Sequence, residues 1–327
     1  MDELCLEINN ADKAFPGVKA LDKANFRLKK GSIHALLDEN GAGKSTLIKI
    51  ITGVHRQDSG KLIIDNNEIS LGNPNDATKH GVSVVHQERN LIRRFSVGEN
   101  LMINNLPKTR IGLIDYKRIS ILSKKWLDMM DLDLDPNTSV SDLTVAKMQL
   151  CEIAKALSLE SKILLLDEPT SSLSPQESKN LFILLKKIVR DEGVSIVFVS
   201  HKLEEVFEIC DEVTVLRDGR NACTSENINN LDRQKLVKLM IGREEQTVQS
   251  SRHNTNNEKV IFELEEIYTE LGHKEINLEV KLGEIVGMYG LVGAGRTELA
   301  KCILGLEKII SGNIKIKDKI VRIVSQK

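Results

Sequence analysis

The residues best suited to chemistry fall in short stretches whose order along the chain gives them weight. The first is Asp38-Glu39-Asn40-Gly41-Ala42-Gly43-Lys44-Ser45-Thr46, which follows the apolar run Ile33 to Leu37 and opens a segment with helical apolar spacing. A glycine-rich loop between a strand and a helix turns backbone N–H groups toward an anion, and the helix N-terminus adds partial positive charge. Lys44 would reach the β- and γ-phosphates of a nucleotide, and the Ser45 hydroxyl would hold Mg2+.

Further signals follow downstream, in order. Gln87 ends the apolar run Val82 to His86. Leu143-Thr144-Val145-Ala146-Lys147 opens a helix, where the Thr144 hydroxyl and the first N–H groups could face an anion. Ile163 to Leu166 is apolar and ends in Asp167-Glu168. That placement suits a metal-site acid and a carboxylate that polarises an attacking water. Ser200-His201 ends the run Ser195 to Val199, where an imidazole can hydrogen-bond a γ-phosphate. Each signal has a plain alternative: an exposed polar residue for Gln87 or His201, a cap and first-turn acid for Asp167-Glu168, an ordinary helix start for Leu143 to Lys147. Unrelated coincidences would not keep this order and spacing, so the conjunction decides for a nucleotide site.

One residue departs from the loop pattern. G-x-x-x-x-G-K-[ST] asks for glycine where this chain has Asp38. The side chain adds a Cβ where backbone freedom is expected to matter, and a negative charge beside the phosphates. A like-charge pair at ~5 Å and an effective dielectric of ~20 costs roughly 3 kcal/mol, or about a hundredfold in affinity.

The elements that must position these residues read as an alternation of strands and helices. SIHALL, SVVHQ, KILLLD, SIVFVS and EVTVLRDG are short, apolar and bounded by turn residues, as buried strands are. Leu150, Ile153, Ala154 and Leu157 keep helical spacing. An α/β domain with a mainly parallel central sheet is expected, with a helical insert over about residues 90–161. The chain also repeats itself. With Gly31 laid on Gly283 and no gap, Gly41, Ala42 and Gly43 fall on Gly293, Ala294 and Gly295, and Lys44 falls on Arg296. Gly290 stands opposite Asp38, so the second loop keeps the glycine that the first has lost. The expected organisation is a first module over 1–243, a polar linker over 244–258 and the N-terminal part of a second module over 259–327.

With 327 residues the chain exceeds the ~250–300 at which one core stops growing. A net charge of −1 gives no overall electrostatic case for nucleic acid or for an anionic membrane surface, and 3% aromatics argues against base-stacking platforms. No apolar run approaches the ~20 residues of a membrane-spanning helix. Five scattered cysteines in no C-x-x-C pair read as reduced, mostly buried thiols.

Taken together, GAGKST, Gln87, LTVAKMQ, LLLDEPTSSLS and SHKLEEV resemble the ATP-binding cassette of ABC transporters. KAFPGVKALD, VVHQE, VGEN and LRDGR narrow the resemblance to the twin-cassette ATPases of sugar importers of the ribose, galactoside and xylose type. It covers essentially the whole chain. It implies a P-loop NTPase cassette with an antiparallel edge subdomain and helical insert, plus a partial second cassette, with ATP and Mg2+ as cofactors. Phe15 would stack on adenine. Gln87 would sense Mg2+ and couple the site to the permease, with Ser45 and Asp167 at the metal, Glu168 as general base and His201 as the switch. Leu143 to Lys147 would be the signature, here with Thr, Val, Ala and Lys in place of the family's last four residues. Gly293, Gly295, Arg296 and Thr297 would form the second loop.

The implied function is a peripheral ATPase subunit on the cytoplasmic face of the cell membrane. It would energise import of a sugar or similar small polar solute, with transmembrane permease subunits, an extracytoplasmic solute-binding protein and a second cassette in cis or trans as partners. The sequence holds no second signature, acid pair or switch histidine, so the expectation is a fragment of a longer subunit or a decayed copy. Asp38 keeps open a cassette that binds nucleotide poorly without turnover. A soluble, non-transport twin-cassette ATPase is the rival, although a short polar linker and Arg296 fit it less well.

Overall fold

The computed structural model describes residues 3–38, 41–88, 90–242, 259–290 and 294–321. Of the residues singled out above, Glu39, Asn40 and Gly293 lie outside the described residues. The chain folds as two compact units, Met1–Gln246 and Thr247–Lys327.

In the first unit the elements run in chain order as β1 Leu4–Phe15, β2 Val18–Lys29, β3 Ile33–Asp38, α1 Lys44–Ile51, β4 Ser59–Ile64, β5 Asn67–Ile69, α2 Pro74–Lys79 and β6 Val82–Val85. The helices α3 Val97–Met102, α4 Tyr116–Met129 and α5 Val145–Leu157 form the expected insert. The alternation then resumes with β7 Ile163–Asp167, α6 Pro175–Glu192, β8 Ser195–Val199, α7 Leu203–Ile209, β9 Glu212–Arg217, β10 Arg220–Asn227 and α8 Arg233–Ile241. The main sheet has the order β10-β9-β3-β8-β7-β6, parallel throughout except for the antiparallel edge strand β10.

Successive residues of a strand face opposite sides of a sheet, and here each side feeds its own core. Leu37, Leu164, Leu166, Ile196 and Phe198 pack with α5, α6 and the insert. Leu36, Ile163, Leu165, Val197 and Val199 pack with α1 and the antiparallel sheet β2-β1-β4-β5. Burial on both faces is why these strands read as unbroken apolar runs rather than as alternations.

One polar side chain interrupts β3. His34 is fully buried; its Nε2 is 2.9 Å from Thr214 Oγ1, and its Nδ1 has no hydrogen-bond partner among the described residues, with Glu212 3.7 Å away. Burial, aided by the Lys29 charge, pushes the imidazole down from 6.5 to about 3. The unfolded chain therefore takes a proton near pH 6.5 that the fold refuses until about pH 3. Stability from this group is present above that window and falls, as pH drops through it, by about 1.4 kcal/mol per pH unit. Urea unfolding from pH 7 to 4 should show this slope in the wild type and a flatter one in His34→Leu. Equal slopes would place the acid sensitivity elsewhere.

The second unit comprises β11 Val260–Thr269, β12 Ile276–Lys281, α9 Arg296–Ile303, β13 Ile309–Ile316 and β14 Lys319–Ile320. Its sheet order β12-β11-β13-β14 reproduces β2-β1-β4-β5 of the first unit. Leu299 and Ile314, the repeat partners of Leu47 and Leu62, hold its small core with Leu264 and Ile267. The repeat legible in the glycines is thus also a repeat of topology.

Candidate functional site

Parallel pairing sends the C-terminal ends of β3, β8, β7 and β6 to one edge of the main sheet, where open α/β sheets bind ligands. The register pairs Ala35 with Phe198, Leu166 with Phe198 and Val85 with Leu166. Asp38 and the glycine loop, Ser200-His201, Asp167-Glu168 and His86-Gln87 therefore emerge side by side. Four stretches scattered over more than half the first unit meet because each directly follows a strand.

The loop itself is built around Gly43, whose φ is 111°. A Cβ there would sit 2.6 Å from the Ala20 carbonyl oxygen and 2.7 Å from Leu21 Cδ2, so the close approach of β2 demands glycine as much as the dihedral does. Leu47 N–H donates to the Gly43 carbonyl to start α1, which leaves Ser45 exposed in the first turn.

Asp38 does something the sequence did not reveal. It closes β3 in ordinary strand conformation, so the position makes no demand for glycine's left-handed freedom. Its side chain turns into the loop instead. Lys44 Nζ donates to Asp38 Oδ1 at 2.7 Å, and the Lys44 backbone N–H reaches Oδ2 at 3.3 Å. Both side chains are more than nine-tenths buried. An internal carboxylate thus takes the ammonium and a loop N–H that a phosphate would use. The second loop shows the geometry without the carboxylate: a Cβ built on Gly290 would lie 3.0 Å from Ala294 Cβ and 3.6 Å from Arg296 Cδ. In both copies a side chain at this position faces the basic residue of its loop.

Beyond β7, Glu168 holds φ 50°, a left-handed conformation that a non-glycine residue adopts at some cost. Its backbone N–H donates to the Val199 carbonyl at 3.0 Å, locking this turn to the end of β8. The carboxylate is 2.6 Å from His201 Nε2. Asp167 is half-buried, and desolvation raises its carboxyl pKa against the opposing pull of Lys44; Glu168, His86 and His201 also lie within its electrostatic reach. Neither acid caps the next helix. That task falls to Ser174, in a capping box with Glu177.

Sequence reasoning missed Glu205, the buried carboxylate that ties this edge together. It accepts from the Thr170 hydroxyl at 2.8 Å and the Ser200 hydroxyl at 2.7 Å, and Lys202 Nζ lies 3.0 Å away. Thr170 belongs to the turn after Glu168, and Ser200 adjoins His201. Nothing in the run LEEV distinguishes Glu205 from its exposed neighbour Glu204; burial alone does. Glu205→Ala strands two buried hydroxyls at about 1–3 kcal/mol each. Urea unfolding should show a loss of about 2–4 kcal/mol, and a loss below 1 would mean that water replaces the carboxylate.

The remaining singled-out residues sit elsewhere. Thr144 is the N-cap of α5, its hydroxyl accepting from Lys147 N–H at 3.3 Å, and Val145, Ala146 and Lys147 form the first turn. The plain helix-start reading thus describes the local role of this stretch. Phe15 packs edge-on against His55 at 5.3 Å between ring centres, with Lys13 over its face. Gln87 is exposed beside a cavity of about 240 Å³ lined by His86, Asn90, Glu152 and Lys155. Glu152 accepts from Asn90 N–H at 2.5 Å, pinning the start of the insert to α5. In the second unit Gly295 caps α9, whose first residues are Arg296 and Thr297. His273 Nε2 stands 2.9 Å from the Gly295 carbonyl, under the second loop.

Comparison with known proteins places this architecture. A family model described as ABC transporter matches residues 21–171 and 273–326. The arabinose import ATP-binding protein AraG of Vibrio parahaemolyticus is 40% identical over 311 residues, 95% of this chain and 61% of that protein. The galactose/methyl galactoside import ATP-binding protein MglA of Mannheimia succiniciproducens is 41% identical over 325 residues, 98% of this chain and 63% of its own length. The chain therefore spans somewhat under two thirds of these relatives. Among solved structures, a nucleotide-free ATP-binding cassette from an ABC transporter superposes with a TM-score of 0.65 at 24% identity, covering 73% of this chain and all of that one. A bacterial ABC transporter cassette solved as a dimer gives 0.58 at 25% identity, over 68% of this chain and 98% of its own.

Proposed function

Because this chain belongs to the ABC transporter family, we propose that it is an ATP-binding and ATP-hydrolysing subunit that energises import of a sugar or a similar small polar solute. The observation that carries this reading is the gathering of Lys44, Asp167, Glu168 and His201 at one edge of the parallel sheet, in a chain whose relatives are sugar import ATP-binding proteins. The glycine loop would cradle the phosphates of ATP, with Phe15 on the adenine. The exposed Ser45 hydroxyl and Asp167 fit a magnesium ion: burial disfavours the Asp167 carboxylate until a cation compensates it. Bound there, Mg2+ would neutralise phosphate charge. Glu168, already oriented by His201, would accept the proton of the attacking water. His201 would donate to the γ-phosphate.

Signature residues Leu143 to Lys147 would face the phosphate loop of a second cassette, in cis or in trans, as the dimeric solved cassette encourages. The second unit, with its loop Gly293, Gly295, Arg296 and Thr297, supplies the beginning of such a cassette. The groove beside Gln87, where the sheet edge meets the insert, would receive the transmembrane permease, itself fed by an extracytoplasmic solute-binding protein. No helix among the described residues is long and apolar enough to cross a membrane. Docked on the permease, the subunit would be peripheral, on the cytoplasmic face.

The test is recovery of the chain with a permease encoded beside it, from detergent-solubilised membranes after co-expression. Substitutions in the groove, such as Asn104→Arg at a residue that lines the same cavity as His86 and Glu152, should release it. A chain that ignores the permease, with or without ATP, would defeat the reading. The Asp38–Lys44 pair favours a second reading, a cassette whose first loop binds nucleotide poorly and does not turn over.

A further inference from the structure

Over the whole chain the charges nearly cancel, leaving −1, yet the stretch from Lys108 to Lys125 is strongly one-sided. It carries Lys108, Arg110, Lys117, Arg118, Lys124 and Lys125 against the single acid Asp115. The same stretch exposes Ile111, Leu113, Ile114, Tyr116, Ile121 and Leu122, with Ile111 81% and Ile121 72% accessible. Exposed large apolar residues scattered singly mean little, but a cluster interleaved with cations marks a contact surface.

The local structure is ordered enough to present it. Lys108 bridges Ile114, Thr109 N–H donates to the Leu113 carbonyl at 2.7 Å, and Asp115 N–H donates to the Pro107 carbonyl at 2.9 Å. These bonds close a hairpin whose tip carries Arg110, Ile111 and Leu113. Asp115 then caps α4, accepting from Arg118 N–H at 3.0 Å. Along α4, Ile119, Ser123 and Leu127 face the core. The opposite rows, Lys117-Ile121-Lys125 and Arg118-Leu122, continue the surface outward. Lys124 pairs with Asp128, whereas Lys108, Arg110, Lys117 and Arg118 form no ion pair with a described residue.

We propose that this hairpin and the outer face of α4 dock on an anionic lipid bilayer. The apolar tip and the Ile121-Leu122 rows would enter the headgroup boundary, while the long stems of the lysines and arginines keep their charges at the phosphates. The shape favours lipid over a protein partner. Apolar side chains here stand at the apex of a hairpin and along an exposed helix face, interleaved with cations that complement anionic headgroups, an arrangement that a deformable bilayer accommodates. The proposal needs no bound nucleotide, so it stands or falls apart from the ATPase reading.

Cosedimentation of the full chain with phosphatidylcholine vesicles, with and without phosphatidylglycerol, tests it in the absence of nucleotide. The chain is expected to pellet with the anionic vesicles, to stay with the supernatant on neutral ones and to be released by salt. Ile111→Glu with Leu113→Glu, and separately Lys117→Glu with Arg118→Glu, should each weaken binding by at least about tenfold. All four side chains are exposed, so thermal unfolding should match the wild type in both variants. Two results would overturn the proposal: no pelleting on anionic vesicles at low salt, which would assign the surface to a protein partner, or variants that pellet as well as the wild type.

Discussion

Asp38→Gly should raise the affinity of the chain for a fluorescent ATP analogue by about a hundredfold. The figure corresponds to roughly 3 kcal/mol for one buried charge interaction at an effective dielectric of ~20. Two physical terms share it. The carboxylate repels the phosphates, and it also occupies the Lys44 ammonium and backbone N–H that the phosphates need. Asp38→Asn separates them, because an amide removes the charge while keeping an acceptor near Lys44; it should recover part of the gain. The backbone at this position is an ordinary strand, so glycine itself costs about 0.5–1 kcal/mol, and the buried Lys44 ammonium left without its partner adds up to about 3–5 kcal/mol in the absence of nucleotide. Lost stability weakens binding, so a folding effect cannot imitate a gain in affinity. Lys44→Ala in the Asp38→Gly background should abolish the gain. Equal, tight binding by wild type and Asp38→Gly would show that the ion pair opens without cost.

How much of this was legible in the sequence differs by residue. The parallel sheet announced itself because β3, β7 and β8 are buried on both faces, and such strands read as nearly continuous apolar runs, with His34 the exception inside β3. The repeat announced itself through glycines, since Gly43 can accept no side chain against Ala20 and Leu21. Asp38 was visible as a departure, but only the fold shows where its carboxylate goes. An expected loss of backbone freedom turned out to be an ion pair. Glu205 was invisible, because composition cannot tell a buried glutamate from the exposed one beside it. Thr144 was ambiguous for a related reason: a hydroxyl that caps a helix and one that waits for an anion sit in the same sequence context. Phe15 shows the opposite limit. The resemblance gave its ring a role on adenine, whereas neither its place at the end of β1 nor its packing on His55 was read from the sequence.

Glu168→Gln, made together with Asp38→Gly, should leave nucleotide affinity unchanged while lowering the rate of ATP hydrolysis by about 10²–10⁴-fold, the usual worth of a positioned general base. The amide keeps the size and can still accept from His201, so the 2.6 Å contact and the strained turn at φ 50° need not collapse. What it loses is the capacity to take a proton. The expected signature is therefore a fall in kcat with KM held. His201→Ala should look different, because it would remove the proposed donor to the γ-phosphate and free the Glu168 side chain together. Both kcat and affinity for the triphosphate should drop, and affinity for the diphosphate should be spared. If Glu168→Gln hydrolyses ATP as fast as its Asp38→Gly parent, the base lies elsewhere. The left-handed backbone of Glu168, pinned to Val199, would then be a structural corner of the sheet edge, and the Glu168–His201 pair a lock on that corner.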